Sequence, residues 1–340
     1  MLAAGDAALH IGKRMNDMMS LRAAVLAAAI VLGQLPGAVA GGYPERPVQL
    51  VVPFTAGGAS DVLARILSHE LEGQLGRAVV VVNKPGAGTL IGAQAVASAQ
   101  ADGYTLLISS NSTFSMNPAV HAKMPYDTAT GFEPIAMVAT LALAVVVKEP
   151  APFANLAQLV SAAKAAPGKY MYASFGNATS AHFAGEMFKL AAGIDLVHVP
   201  YRGSSPAMTD LLGGQVTLSV DTVVAALPYT KAGQMKALAV TTAQRSILLP
   251  DVPTVAESGY PGFDLTPWVA VVGPRGLPPE AKSRLTQALA EVMRRTEVQD
   301  KLKAIGFEPA FAPIDDWAAL VTKDIARMQD TATRARITAE

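Results

Sequence analysis

Apolar residues recur at helical spacing between Val62 and Leu75: Val62, Leu63, Ile66, Leu67, Leu71 and Leu75 share one face, and Arg65, Glu70 and Gln74 lie on the other. Gly76 stands where a C-terminal cap belongs. Just upstream, residues 48 to 65 open on a short β-type run that is broken by Gly57-Gly58 before the helical pattern begins. Strand, tight turn and helix therefore follow one another. The N-terminus of such a helix presents unpaired N–H groups and the positive end of the helix dipole, so it can hold an anion without a charged side chain.

The same grammar continues along the chain. Val79 to Val82 leads through Asn83-Lys84-Pro85-Gly86-Ala87-Gly88 to a helix from about Leu90 to Ala99, and Thr105 to Ser109 is the next strand. Such βαβ units predict an α/β fold with a largely parallel sheet and helices on both faces. Ile135 to Lys148 is continuously apolar, as suits one buried strand or a pair. After Pro150 and Pro152, Leu156 to Ala166 is helical, and Tyr170 to Ser174 is a strand leading into Phe175–Ser180 and another helix, repeating the opening unit. Leu196 to Pro200, Val216 to Val220 and Lys236 to Val240 are further strands, and Gly213-Gly214 ends a helix through Leu211 and Leu212. Leu265 to Gly273 reads as a return crossing, and Pro278 to Ile305 as one long amphipathic helical stretch. Two α/β lobes joined by two crossings follow: residues 41–142 with 265–340 in the first, 143–264 in the second, and a cleft between them.

The first 40 residues do not fit this pattern. Arg22 precedes the apolar stretch Ala23 to Leu32, Gly33, Pro36 and Gly37 break it, and Ala38-Val39-Ala40 has the small-x-small form of a leader cleavage site. The stretch falls short of the roughly 20 apolar residues that span a bilayer. Residues 1–40 are thus expected to be a signal peptide, a start at Met15, Met18 or Met19 with residues 1–14 as an extension being the alternative, and the mature protein is expected to be periplasmic.

Composition narrows the function. The 27 basic and 27 acidic side chains balance, so there is no basic footprint for nucleic acid. The absence of cysteine removes disulfides and thiolate metal sites and suits a periplasmic protein large enough to rely on its core. His69, His121, His182 and His198 lack metal-ligand spacing, and no carboxylate pair stands out for acid–base work. Gly86-x-Gly88-x-x-x-Gly92 misses the dinucleotide fingerprint, and neither a phosphate loop nor a Gly-x-Ser-x-Gly elbow is present. The chain does not read as an enzyme, and no cofactor or metal is expected.

Several motifs, in order, carry a resemblance. Pro53-Phe54-Thr55-Ala56-Gly57-Gly58 with Asp61 and Arg65, Asn83-x-x-Gly86-Ala87-Gly88, Asp102-Gly103-Tyr104-Thr105-Leu106, His198-Val199-Pro200-Tyr201-Arg202-Gly203, Asp210-Leu211-Leu212-Gly213-Gly214-Gln215 and Pro250-Asp251-Val252-Pro253-Thr254 resemble the Bug, or TctC-like, substrate-binding receptors of tripartite tricarboxylate transporters. The resemblance implies a type II periplasmic binding-protein fold, two lobes closing on a small carboxylate, and delivery to membrane permease subunits. Presentation of the ligand to a sensor kinase is the alternative. The chain departs from the family pattern at Thr89, where a further glycine is usual, at Gly176-Asn177-Ala178-Thr179 in place of Gly-x-Gly-Ser/Thr, and at Val220 before Asp221.

The expected ligand-binding residues fall in four groups. Phe54, Thr55, Ala56, Gly57 and Gly58 form the first loop, where the resemblance implies that one carboxylate is held by backbone groups and ordered waters. Ser109, Ser110 and Asn111 follow a strand end, where open α/β sheets place ligands. Ser174, Gly176, Asn177, Thr179 and Ser180 form the partner loop, with Thr179 or Ser180 expected to cap the next helix. Tyr201, Gly203 and Asp221 complete the set, Asp221 as an acceptor from a ligand amine or from Tyr201. Asp61 is expected to answer the helix dipole rather than to touch ligand, and His182 to pack or hydrogen-bond; Phe54 and Trp268 suit core or hinge packing better than stacking on a ligand. The receptor is expected to act as a monomer.

Overall fold

The computed structural model describes residues 42–338; the expected signal peptide lies outside the described residues. β1 (Val48–Val52) pairs in parallel with β2 (Val79–Asn83) and β3 (Thr105–Ser110). Val48, Leu50 and Val52 face one layer and Val51 the other, and burial on both faces is why the strand reads as an unbroken apolar run. α1 (Ala59–Leu75) covers the first face through Leu63, Leu67, Leu71 and Leu75, and ends at Gly76 in the left-handed conformation. α2 (Leu90–Ala97) covers the opposite face with Ala93 and Val96. A single turn, α3 (Asn117–Val120), follows β3.

Six strands form this first sheet, in the order β11 (Phe307–Ala312), β4 (Phe132–Leu141), β10 (Trp268–Pro274), β3, β1, β2. The second sheet has the order β7 (Val197–Pro200), β6 (Met171–Ser174), β8 (Leu218–Thr222), β5 (Leu143–Lys148), β9 (Met235–Val240). Its faces are covered by α4 (Leu156–Ala165) and α5 (Ser180–Ala192) on one side, and by α6 (Ser204–Gly213) and α7 (Val223–Lys231) on the other. The long apolar run is therefore a pair of strands, parted at Ala142 and shared between the sheets.

The sheets are mixed rather than largely parallel. β10 runs antiparallel to β3 and β4, β11 to β4, and β5 to both β8 and β9. The crossings explain this. A strand leaving one sheet at the edge facing the cleft enters the other from its cleft edge, against the strands already there. β4 passes directly into β5, and the second crossing precedes β10; the two touch where the Leu141 N–H donates to the Pro267 carbonyl at 3.1 Å.

The long amphipathic stretch is two helices, α8 (Pro279–Arg294) and α9 (Thr296–Ala304), parted at Arg295, whose ψ of 122° is extended. This step lets Arg295 and Lys301 both reach the buried Glu70 of α1, at 3.1 and 3.0 Å. The last helix, α10 (Trp317–Ala335), serves both sheets: Trp317 and Val321 pack with Phe114 and Trp268, whereas Met328 and Ala332 join the core beneath the second sheet. Among the described residues no helix is long and apolar enough to cross a membrane.

Candidate functional site

The loops after β1, β3, β6, β7 and β8 meet in the cleft. The first is shaped by Asp61, whose Oδ2 accepts from the Gly57 N–H at 2.9 Å, while Arg65 and Asn83 donate to the same carboxylate at 2.9–3.0 Å. Burial opposes its charge, yet the hydrogen bonds from Arg65, Gly57 and Asn83 together hold its carboxyl below the usual carboxylate range. Asp61 is thus engaged within the loop and leaves the α1 N-terminus open.

Four helix N-termini converge behind these loops, with Gly58, Thr179, Gly203 and Thr222 as the N-caps of α1, α5, α6 and α7. They surround an inner cavity. Its polar wall comes from Ser60, Ser110, Ser180, Ser204 and Thr222, and its apolar wall includes Phe54, Leu141, Phe175, Pro267 and Val269. Among the described residues, none of the lining side chains is charged. An outer chamber lies beyond Phe54 and Phe175, bordered by Gly86–Thr89, His121, Gly176, Asn177, Tyr201 and Arg202. The two phenylalanines pack edge to face at 5.9 Å and form the partition between the chambers.

The cleft is closed across its mouth. Ser205 Oγ donates to the Ala56 carbonyl at 2.9 Å, and the Ser180 N–H donates to Ser112 Oγ at 2.9 Å. Gly203 has φ +134°, and a Cβ there would overlap Thr55 Oγ1; Gly88 approaches the Asn177 carbonyl too closely for any side chain. These glycines are needed for contact between lobes.

The partner loop is held from below. Ser174 Oγ pairs with His198 Nε2 at 2.7 Å and donates to the Gly176 carbonyl at 3.1 Å, and the Ala178 N–H donates to His182 Nδ1 at 3.1 Å. The imidazoles of His182 and His198 stack at 3.9 Å. Burial, assisted by the Lys189 charge, lowers His182 to about 4; burial with His182 and Lys189 lowers His198 to about 3. Both rings are neutral near pH 7 and serve the loop. Neither Thr179 nor Ser180 caps α5 with its own side chain: Thr179 Oγ1 donates back to the Gly176 carbonyl at 2.6 Å, and the cap comes from Ser112 across the cleft.

Of the expected residues, Phe54, Gly58, Ser110 and Ser180 line the inner cavity, and Phe54, Gly176, Asn177 and Tyr201 border the outer chamber. Thr55, Ala56, Gly57 and Gly203 form the interlobe contact. Ser109 lies off the wall, bonded to Thr113 at 2.6 Å in a buried chain that continues to Thr89. Asn111 is fully buried, and its two amide atoms have no partner among the described residues. Tyr201 does not reach Asp221; its hydroxyl donates to Asp210 at 2.7 Å. Asp221 Oδ1 instead accepts from Ser204 Oγ and the Thr222 N–H, both at 2.7 Å, and burial pushes the carboxyl up to about 7 against these bonds. Among the other wall residues, Ser204 belongs to the same loop as Tyr201 and Gly203 and Thr222 adjoins Asp221, whereas Pro267 and Val269 carry no local signal.

Residues 63–335 match the model of the tripartite tricarboxylate transporter family receptor. The chain belongs to this family. It is 37% identical over 286 residues to protein BugT of Bordetella pertussis, covering 84% of this chain and 88% of that one. The structure of the periplasmic binding protein BugD superposes with a TM-score of 0.83 at 36% identity, covering 87% of this chain and 99% of that one. Rpa4515 of R. palustris with adipate superposes with a TM-score of 0.84, also at 36% identity and with the same two coverages. The type II binding-protein architecture, with two α/β lobes, is shared with these receptors. Two departures from the family pattern now have a structural meaning: Thr89 at φ 95° and Ala178 at φ 53° both occupy left-handed positions that favour glycine. At Thr89 the hydroxyl accepts from Thr113 at 2.8 Å and from Asn117 at 3.2 Å.

Proposed function

We propose that this receptor binds a small organic acid in the periplasm and delivers it, as a monomer, to the membrane permease of a tripartite tricarboxylate transporter. The observation that carries the reading is the convergence of four helix N-termini on an uncharged cavity, because oriented N–H groups and helix dipoles attract a carboxylate without a cationic side chain. A carboxylate sits between the N-termini of α1 and α5, near Gly58, Ser60 and Ser180, with Ser110 beside it. The apolar wall takes the carbon skeleton. The adipate held by Rpa4515 is a molecule of this kind.

Residues 41–142 with 265–340 move as one lobe and 143–264 as the other, bending at Ala142 and at Leu265–Pro267. Opening separates Gly203 from Thr55 and Phe175 from Phe54, giving the ligand a path through the outer chamber. A thermal-shift screen of carboxylic acids on ligand-stripped protein, preceded by native mass spectrometry of the periplasmic product, tests this. An acid at about 100 times its dissociation constant adds roughly 2.7 kcal/mol, a rise of several degrees. No stabilisation by any acid overturns the proposal.

A further inference from the structure

Asp221 is fully buried, and its Oδ2 has no partner among the described residues. Its other oxygen takes the Ser204 hydroxyl and the Thr222 N–H, at the N-termini of α6 and α7, and both residues are in the cavity wall. The carboxyl therefore already occupies half of the convergent positive field. Only the α1 and α5 half is left for an incoming carboxylate.

Among the described residues no ion pair offsets this acid. The elements packed against β8 are β5, β6, α5, α6 and α7. Lys148 is at the far end of β5, Tyr172 of β6 is bonded to Glu186 of α5, and Glu186 is paired with Lys189. Asp210 of α6 takes the Tyr201 hydroxyl. His182 of α5 accepts from Ala178, and Tyr229 and Lys231 lie in the last turns of α7. From the facing lobe, Asp61 is paired with Arg65. None of these groups bonds to Asp221. A buried carboxyl without a cation accepts either a donor from the ligand or a proton from solvent, and two neighbouring carboxylates do not both stay ionised.

We infer that Asp221 reads the charge of the bound acid. An acid with a hydrogen-bond donor at that end of the cavity binds while Asp221 is ionised; a second carboxylate there is admitted only when Asp221 takes up a proton from solvent. This rests on the receptor reading above and names the ligand class of the same cavity: one carboxylate at α1 and α5, with a donor group opposite, above the titration of Asp221.

Calorimetry in buffers of differing ionisation enthalpy tests it, using succinate and its monoamide between about pH 5.5 and 8.5. Succinate should bind with uptake of about one proton and lose up to about tenfold in affinity per pH unit above the Asp221 titration, whereas the monoamide should bind without uptake. Asp221→Asn should bind succinate with that slope removed; the ligand's own protonation is common to both proteins and is subtracted. Ser204→Ala, which takes a donor from Oδ1, should move the midpoint of the pH profile upward in a protein that keeps the carboxyl. Succinate binding without proton uptake, an unchanged slope in Asp221→Asn, or an unmoved midpoint in Ser204→Ala overturns the inference and leaves the receptor reading standing. If the wild type binds no carboxylic acid at all, both fall together.

Discussion

Gly203 and Thr55 meet where the lobes touch, and the absence of a side chain on Gly203 is what lets them do so. Gly203→Ala adds a methyl group against Thr55 Oγ1 at a φ unfavourable to alanine. The cleft then stops short of full closure, and ligand affinity should fall at least about tenfold, or about 1.4 kcal/mol. Truncating the obstacle with Thr55→Ala should restore part of that loss, whereas a Gly203→Ala effect untouched by Thr55→Ala places the damage elsewhere. Loop position singled out Gly58, Ser110 and Ser180 in the sequence, because strand ends and glycine turns are where α/β sheets put ligands, and all three line the cavity. Pro267 and Val269 reach the wall through the path of the second crossing, and no residue type announces that. Asp221 was singled out by its place after a strand, but its partners were not, since Ser204 lies 17 positions away in sequence.

The stacked histidines make the partner loop acid-sensitive as an element. Their folded-state pKa values of about 4 and about 3 lie below the ordinary 6.5, so the unfolded chain binds more protons than the folded one between these limits. Stability contributed by neutral rings is complete above about pH 6.5 and is lost as pH falls toward 3; each tenfold difference in proton affinity between the folded and unfolded chains is worth about 1.4 kcal/mol. Asp221 has the opposite sign, because its raised value of about 7 makes stability rise as pH falls from there toward the usual 3.8. His182→Asn keeps an acceptor for the Ala178 N–H but does not titrate. Urea midpoints at about pH 7 and pH 5 should therefore fall less in His182→Asn than in the wild type, and equal falls would remove the histidine pair from the account. The helices and strands around this loop were legible from their periods, whereas the reversed direction of β5 and β10 was not, because direction is set by which sheet a crossing enters. The break at Arg295 was equally hidden: it answers Glu70, distant in the chain, while the apolar stripe continues through it.

At the scale of the molecule, the two crossings do not act alone. β11 and α10 are not among the elements that the sequence pattern predicts, although α10 bridges the two sheets. Its first half is fixed by Trp317, whose Nε1 donates to the Thr128 carbonyl at 2.7 Å, and its second half by Met328 and Ala332 against the other lobe. If lobe motion bends only Ala142 and Leu265–Pro267, α10 must slide over one of its seats; if α10 holds, it is a third strap that limits opening. Met328 is 2% exposed, and Met328→Ala should cost about 2–4 kcal/mol by the cavity it leaves. The two mechanisms part on a second readout. With α10 as a strap, small-angle scattering of ligand-free Met328→Ala should show a larger radius of gyration than the wild type, and the two proteins should become alike when saturated with ligand. Loss of stability with an unchanged ligand-free radius would leave the two crossings as the whole of the hinge.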